Sequence, residues 1–197
     1  MWIFGYGSLL WRPNFTYQIV VPGIVKGYSR RFWQLSPDHR GNPSNPGRVV
    51  NLVSEPNSVC WGLAYKIPEN DVEATRAYLD HREQAGYELQ TVEFHPDDGS
   101  PTFELEVYIS TAHPENIYYE PTASIDEIVE TIVSSHGQSG SNIEYALRLA
   151  EVHRRFASHV LDEHLFEIER RILKLCEARR ITDKVLLNYK LSYAATS

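Results

Sequence analysis

A glycine-flanked turn and a single carboxylate are the parts of this chain that best suit catalysis. The turn is Phe4-Gly5-Tyr6-Gly7-Ser8-Leu9, which follows a short apolar run that is typical of a buried strand. Its two glycines let the backbone bend sharply and approach a ligand, because neither carries a Cβ atom. Successive backbone N–H groups in such a turn form a concave site for an anion, and a serine hydroxyl can add a hydrogen bond. The same residues also fit an ordinary strand-to-strand turn.

Glu83 is the candidate acid or base. The spacing of apolar residues predicts a helix from Asn70 to Arg82, and Gly86 is expected to end it. Glu83 then lies at the helix C-terminus, where the helix dipole opposes a negative charge. If Glu83 is also buried, both effects raise its pKa toward the range of a general base at neutral pH. The alternative is a solvated surface carboxylate.

A long loop, Ser36–Gly47, contains three prolines and two glycines. A loop of this length in a compact domain is often functional. It carries His39 and Arg40, and Arg48 follows directly. These three residues predict either a positively charged rim over a pocket for an anionic substrate or a solvated surface.

The elements that must position these groups are strands in the first half of the chain and helices in the second. β-Branched and aromatic residues between Val20 and Ile67 predict several strands, with a turn at Glu55–Ser58. Tyr87–Ile109 is typical of a hairpin across an Asp-Asp-Gly-Ser turn. Six or seven strands before residue 110 favour a closed or nearly closed barrel. Three helices should follow, begun by capping residues at Ser124, Ser141 and Asp162. The expected fold class is α+β, a small antiparallel or mixed β-barrel with flanking helices.

Composition narrows the class of protein. A chain of 197 residues fits one domain, which we place at residues 1–180 with a C-terminal tail at 181–197. The net charge of −7 argues against a nucleic-acid partner. The sequence has no apolar run that predicts a membrane span and no signal-like N-terminus that predicts export, and Cys60 and Cys176 need no disulfide. We therefore expect a cytoplasmic protein. Separately, we expect a monomer or weak dimer. Twelve tyrosines and four tryptophans favour a pocket lined by aromatic rings.

Most familiar catalytic arrangements are missing from the sequence. His159 and His164 lack a third donor at metal-ligand spacing, and there is no nucleotide-binding fingerprint or nucleophile elbow. We therefore expect no metal and no cofactor. One acid or base beside an anion-binding turn suits a reaction in which the substrate supplies its own nucleophile.

Several stretches resemble the ChaC family of glutathione-specific γ-glutamylcyclotransferases, in its short type-two form. They span roughly residues 1–165 in the family's order, although Leu35, Tyr119-Glu120 and the long tail depart from the pattern. The matching stretches are Phe4–Leu9, Tyr28–Gln34, Asp38–Gly41, Pro46–Val50, Tyr78–Glu83, Gly86-Tyr87 and Ser139–Tyr145.

The resemblance implies a γ-glutamylcyclotransferase-like fold that degrades glutathione to 5-oxoproline and Cys-Gly without a cofactor. It implies Glu83 as the catalytic acid and base. Two alternatives stay open: a cyclotransferase for other γ-glutamyl amino acids or amines, and a non-catalytic γ-glutamyl-binding domain on the same scaffold. The implied substrate-binding residues are Ile3, Phe4, Gly5, Tyr6, Gly7, Ser8 and Leu9, and those expected to contact the Cys-Gly half are Arg40, Tyr87, Tyr108 and Tyr145.

Overall fold

The computed structural model describes residues 1–82, 87–110, 116–182, 185–186 and 188–189. Five strands in this part of the chain close into a barrel in the order β1-β3-β2-β4-β5. Neighbouring strands are antiparallel except β1 and β5, which pair in parallel where Ile3 meets Glu106, so the barrel is mixed. The predicted α+β barrel is confirmed. Its strands are β1 (Trp2–Gly5), β2 (Ile19–Ser36), β3 (Gly47–Lys66), β4 (Tyr87–Pro96) and β5 (Phe103–Ser110).

Two long strands replace several of the short ones that the sequence predicted. β2 has 18 residues and β3 has 20, and they pair along most of their length. The predicted turn at Glu55–Ser58 is wrong, because these residues lie inside β3. They form an irregularity opposite Gly27, where the pairing shifts and the backbone takes a φ of +79°. A glycine adopts this left-handed conformation without the strain that a side chain would add.

The helices begin close to their predicted caps. Ser124 and Glu127 form a complete capping box, in which each side chain accepts a hydrogen bond from the other residue's backbone N–H. Ser141 and Asp162 also cap as expected, each accepting from the N–H three residues later. The helices are α1 (Val72–Arg82), α2 (Ile125–Ser134), α3 (Asn142–Phe156) and α4 (Glu163–Ala178), and a short hairpin of β6 (His136–Gly137) and β7 (Gly140–Ser141) joins α2 to α3.

One continuous apolar core connects the barrel to α2, α3 and α4. Leu186 and Tyr189, from the stretch that the sequence analysis assigned to a tail, are buried in the same core. The division of the chain at residue 180 stays a prediction. Cys60 and Cys176 are unbridged and buried.

Arg30 and His164 join the barrel to the start of α4. The buried guanidinium of Arg30 donates to the carbonyl oxygen of Trp61 at 2.6 Å and lies 3.3 Å from the carboxylate of Asp162. The Nε2 atom of His164 accepts a hydrogen bond from the backbone N–H of Phe32 at 3.1 Å. A neutral imidazole is required for this acceptor role.

Burial, with a smaller contribution from Arg31, lowers the pKa of His164 from 6.5 to about 4. In the unfolded chain this imidazole takes up a proton as the pH falls through 6.5, whereas in the folded protein it stays neutral until about pH 4. The stability that depends on neutral His164 is therefore complete above pH 6.5 and is lost as the pH falls toward 4.

We expect the free energy of unfolding to fall by about 1–3 kcal/mol over this window, and His164→Gln to remove most of that slope. Urea unfolding of both proteins at a series of pH values measures it. His136→Gln is the control, because it removes an exposed imidazole and leaves His164 in place. An unaltered slope in His164→Gln would show that other groups cause the pH dependence.

Candidate active site

A cavity of about 640 Å³ opens beside the turn at the end of β1. This volume lies in the range of sites for small molecules, about 300–1,000 Å³. Its wall combines the turn with the first part of the long loop, the hairpin between α2 and α3, and side chains from α1, α3 and β5. The structure therefore brings together the turn and the loop that the sequence singled out separately.

Five of the seven predicted substrate-binding residues line this cavity. The other two, Ile3 and Gly5, are packed closely against other residues of the fold. Ile3 is 1% exposed, in a cluster that includes Leu79, and a Cβ atom on Gly5 would lie only 2.8 Å from the Cβ atom of Leu9. Binding by the turn stays a prediction. The five lining residues are Phe4, Tyr6, Gly7, Ser8 and Leu9.

The backbone of the turn continues into one turn of 3-10 helix, Ser8–Leu10. The N–H of Leu10 donates to the carbonyl oxygen of Gly7 at 3.0 Å, and the N–H of Arg12 donates to that of Ser8 at 2.9 Å. The first N–H groups of a helical turn have no acceptor within it, so they can bind an anion. A Cβ atom on Gly7 would lie 3.1 Å from the hydroxyl oxygen of Tyr145, which shows how closely the cavity wall approaches this backbone.

Tyrosine hydroxyls hold the turn in place. Tyr6 donates to the carbonyl oxygen of Tyr108 at 2.7 Å, and Tyr65 donates to the carbonyl oxygen of Leu9 at 2.7 Å. Tyr145 accepts a hydrogen bond from the N–H of Val50 at 3.2 Å. The predicted aromatic lining is confirmed, since the cavity wall includes Tyr6, Tyr78, Tyr108, Tyr118 and Tyr145.

Glu83 lies outside the described residues, which stop at Arg82 and resume at Tyr87. The neighbouring part of α1 reaches the cavity, because Tyr78 lines it and Asp80 accepts a hydrogen bond from the hydroxyl of Tyr108 at 2.6 Å. Burial, together with this hydrogen bond to Asp80, raises the pKa of Tyr108, so its hydroxyl stays protonated at neutral pH. The role of Glu83 stays a prediction.

The long loop does not form the predicted rim of positive charge. Arg48 is buried, forms an ion pair with Glu120 and does not line the cavity. Arg40 does line it, but its buried guanidinium donates to the carboxylate of Glu144 at 3.2 Å. Burial lowers the pKa of Arg40, and the hydrogen bond to Glu144 opposes this. The solvated-surface alternative is also wrong for both arginines.

His39 is partly exposed at the cavity wall. Its Nδ1 atom lies 3.2 Å from the hydroxyl oxygen of Ser139, in the hairpin between α2 and α3, and its Nε2 atom lies 3.6 Å from the carboxylate of Asp38. The backbone N–H of Ser139 donates to the carbonyl oxygen of His39 at 3.0 Å. The hairpin therefore supports this part of the loop.

Sequence reasoning missed Asn142, which joins the loop to α3. Its side chain is buried; the Oδ1 atom accepts from the N–H of Arg48 at 2.6 Å, and the Nδ2 atom donates to the carbonyl oxygen of Arg48 at 2.7 Å. The sequence places Asn142 in a stretch that resembles the ChaC family but gives it no role of its own. Its contact depends on the fold, which brings α3 against β3.

The described residues contain no group of three or more His, Cys, Asp or Glu side chains that could hold a metal ion. Within the same ranges, no helix is both long and apolar enough to span a membrane.

Comparison with known proteins gives the family. A family model described as ChaC-like protein matches residues 1–175. The chain belongs to this family. A zebrafish relative, glutathione-specific gamma-glutamylcyclotransferase 1, is 44% identical over 176 residues, covering 88% of this chain and 89% of the relative. The relative from Schizosaccharomyces pombe, glutathione-specific gamma-glutamylcyclotransferase, is 33% identical and covers 91% and 96% of the two chains.

The fold agrees with that of a solved relative. A crystal structure of the yeast γ-glutamyl cyclotransferase specific to glutathione matches with a TM-score of 0.82 at 31% identity, over 88% of this chain and 96% of the yeast chain. The expected γ-glutamylcyclotransferase-like fold is therefore confirmed for this ChaC-like protein. Its narrower assignment to the short type-two form stays a prediction.

The contact between Arg40 and Glu144 gives a test of how the cavity wall is held. Glu144→Ala would leave a buried guanidinium without its acidic partner, and we expect the free energy of unfolding to fall by about 2–4 kcal/mol. Chemical denaturation measures this change. Glu151→Ala, which removes an exposed carboxylate from the same helix, should change stability by less than about 0.5 kcal/mol. Equal losses in the two variants would contradict the proposed role of the ion pair.

Proposed function

We propose that this protein degrades glutathione by intramolecular cyclisation of its γ-glutamyl group, releasing 5-oxoproline and Cys-Gly. The observation that carries the proposal is the shared cavity, which is lined both by residues of the turn and by Tyr78 in the second half of α1. The named relatives that this chain matches along most of its length support glutathione as the substrate.

The turn is proposed to bind the amino-acid end of the substrate. Backbone N–H groups from Gly7 to Leu9 would donate to the α-carboxylate, as expected for the start of a helical turn. The aromatic wall, including Tyr6 and Tyr145, would keep the glutamyl chain bent. Holding the amine close to the γ-carbonyl carbon lowers the activation barrier by about 7 kcal/mol.

Glu83 is proposed to move the proton. Its carboxylate would take a proton from the α-ammonium group, and the resulting amine would attack the γ-carbonyl carbon. As the five-membered ring closes, the bond to the cysteine nitrogen breaks, and Glu83 returns the proton to the departing Cys-Gly amine. The ring nitrogen loses its second proton as it becomes the lactam N–H, and this proton leaves with Cys-Gly as its ammonium group. The substrate supplies both the nucleophile and the electrophile, so the step uses no oxidant, reductant or cofactor. Glu83 follows the last residue of α1 in the sequence, and Tyr78 in that helix lines the cavity.

Glu83→Gln keeps the size of the side chain and removes its ability to exchange a proton. We expect kcat for 5-oxoproline release from glutathione to fall by about 10²- to 10⁴-fold, the usual contribution of a general acid and base. Mass spectrometry of both products measures it. The matched control is Glu73→Gln, an exposed carboxylate at the other end of the same helix, which should retain wild-type turnover.

Wild-type turnover in Glu83→Gln would remove Glu83 from the mechanism. The same assay separates the two alternatives from the proposal. A cyclotransferase for other substrates would prefer γ-glutamyl-alanine or γ-glutamyl-lysine to glutathione, whereas a non-catalytic domain would bind glutathione and release no product from any of the three.

We place this reaction in the cytoplasm as part of the proposal. Glutathione is abundant in the reducing cytosol, and two buried cysteines without a disulfide suit that compartment. The negative net charge still argues against a nucleic-acid partner. Whether the protein is a monomer or a weak dimer stays a prediction.

A further inference from the structure

Arg12 stands apart from the other basic side chains of the cavity. Three such residues line the described wall: Arg12, His39 and Arg40. Arg40 is buried against Glu144, and the imidazole of His39 lies between Asp38 and Ser139. Arg12 is exposed, and its guanidinium makes no hydrogen bond or ion pair within the part of the chain that the structure describes. A cation at the mouth of the cavity is therefore available to a ligand.

The backbone fixes Arg12 relative to the turn. Its N–H donates to the carbonyl oxygen of Ser8 at 2.9 Å, so Arg12 begins one helical turn beyond the residues proposed to hold the α-carboxylate. Arg12 also lines the same cavity as the turn. This placement suits a second anionic group on the same ligand, because a tripeptide spans about 10 Å when it is extended.

We propose that Arg12 binds the glycine carboxylate of glutathione and so selects γ-glutamyl peptides that end in a carboxylate at this distance. The inference rests on the proposed function. Glutathione carries two carboxylates, and the turn and Glu83 engage only the γ-glutamyl end. Arg40 is a poorer partner for the second carboxylate, because Glu144 already neutralises its charge and a buried ion pair loses free energy when one partner is withdrawn. The planar guanidinium of Arg12 can meet a carboxylate with two parallel hydrogen bonds.

The test compares glutathione with glutathione whose glycine carboxylate is converted to the primary amide. Arg12→Met keeps much of the apolar stem and removes the charge. We expect kcat/KM for glutathione to fall about three- to tenfold in Arg12→Met, mostly through KM, because a contact remote from the reacting bond acts equally on bound substrate and transition state. The amide should react equally well with wild type and Arg12→Met, and Arg12→Lys should recover part of the activity toward glutathione.

Arg155→Met is the matched control. Arg155 is exposed near the end of α3 and does not line the cavity, so this variant should behave as wild type with both substrates. Equal loss toward glutathione and its amide in Arg12→Met, or no loss toward either, would overturn the assignment of Arg12.

Failure of the proposed function gives a different result. A wild-type protein that releases no 5-oxoproline would overturn the cyclisation but not the assignment of Arg12. Isothermal titration with glutathione and its amide then decides the assignment: wild type should bind glutathione more tightly than the amide, and Arg12→Met should bind the two equally. An unchanged preference in Arg12→Met would exclude Arg12 as the partner of the carboxylate.

Discussion

The cavity depends on one constraint: the buried backbone groups of the turn after β1 must find hydrogen-bond partners. A chain that leaves a barrel strand and bends at once cannot place its carbonyl oxygens in the sheet, so other partners are needed. The carbonyl oxygen of Leu9 accepts from Tyr65 on β3, and the side chain of Tyr6 donates to the backbone of β5. A buried carbonyl group without its donor costs about 1–3 kcal/mol. The turn therefore keeps its shape only while the barrel around it is closed.

Ion pairs between distant parts of the chain hold together the elements around the cavity. Arg30 meets Asp162 at the start of α4, Arg40 meets Glu144 on α3, and Arg48 meets Glu120. All three arginines are buried, so each needs its acid to offset the loss of water. The guanidinium groups of these three arginines are paired inside the fold. Arg12 is the arginine of the described cavity wall that a substrate can reach.

Features set by neighbouring residues could be predicted from the sequence, and features set by distant contacts could not. The capping box of Ser124 and Glu127 spans four residues, so its residue types alone predict where α2 begins. The sequence does not show that the charge of Arg40 is neutralised, because its partner Glu144 lies 104 residues away in the chain. The turn predicted within β3 failed for the same reason, since its partner across the irregularity, Gly27, belongs to another strand. Pairing between strands overrides local turn propensity in a barrel of this kind.

The turn can be predicted from the sequence because a glycine stands on each side of Tyr6. Close packing explains one of these glycines. Gly5 has no room for a Cβ atom beside Leu9, whereas Gly7 faces the cavity near Tyr145. Two glycines separated by one residue thus have different surroundings. Only the packing around them shows that Gly5 is needed by the fold and that Gly7 lines the cavity.

The central claim is that the turn and Glu83 hold the same end of one substrate. A crystal structure of Glu83→Gln with glutathione bound tests it most directly. The account predicts the α-carboxylate within hydrogen-bond distance of the backbone N–H groups of Gly7 to Leu9, and the side chain of residue 83 within about 3.2 Å of the α-amino nitrogen. Glutathione bound with its γ-glutamyl end away from the turn, or with residue 83 facing solvent, would contradict the account.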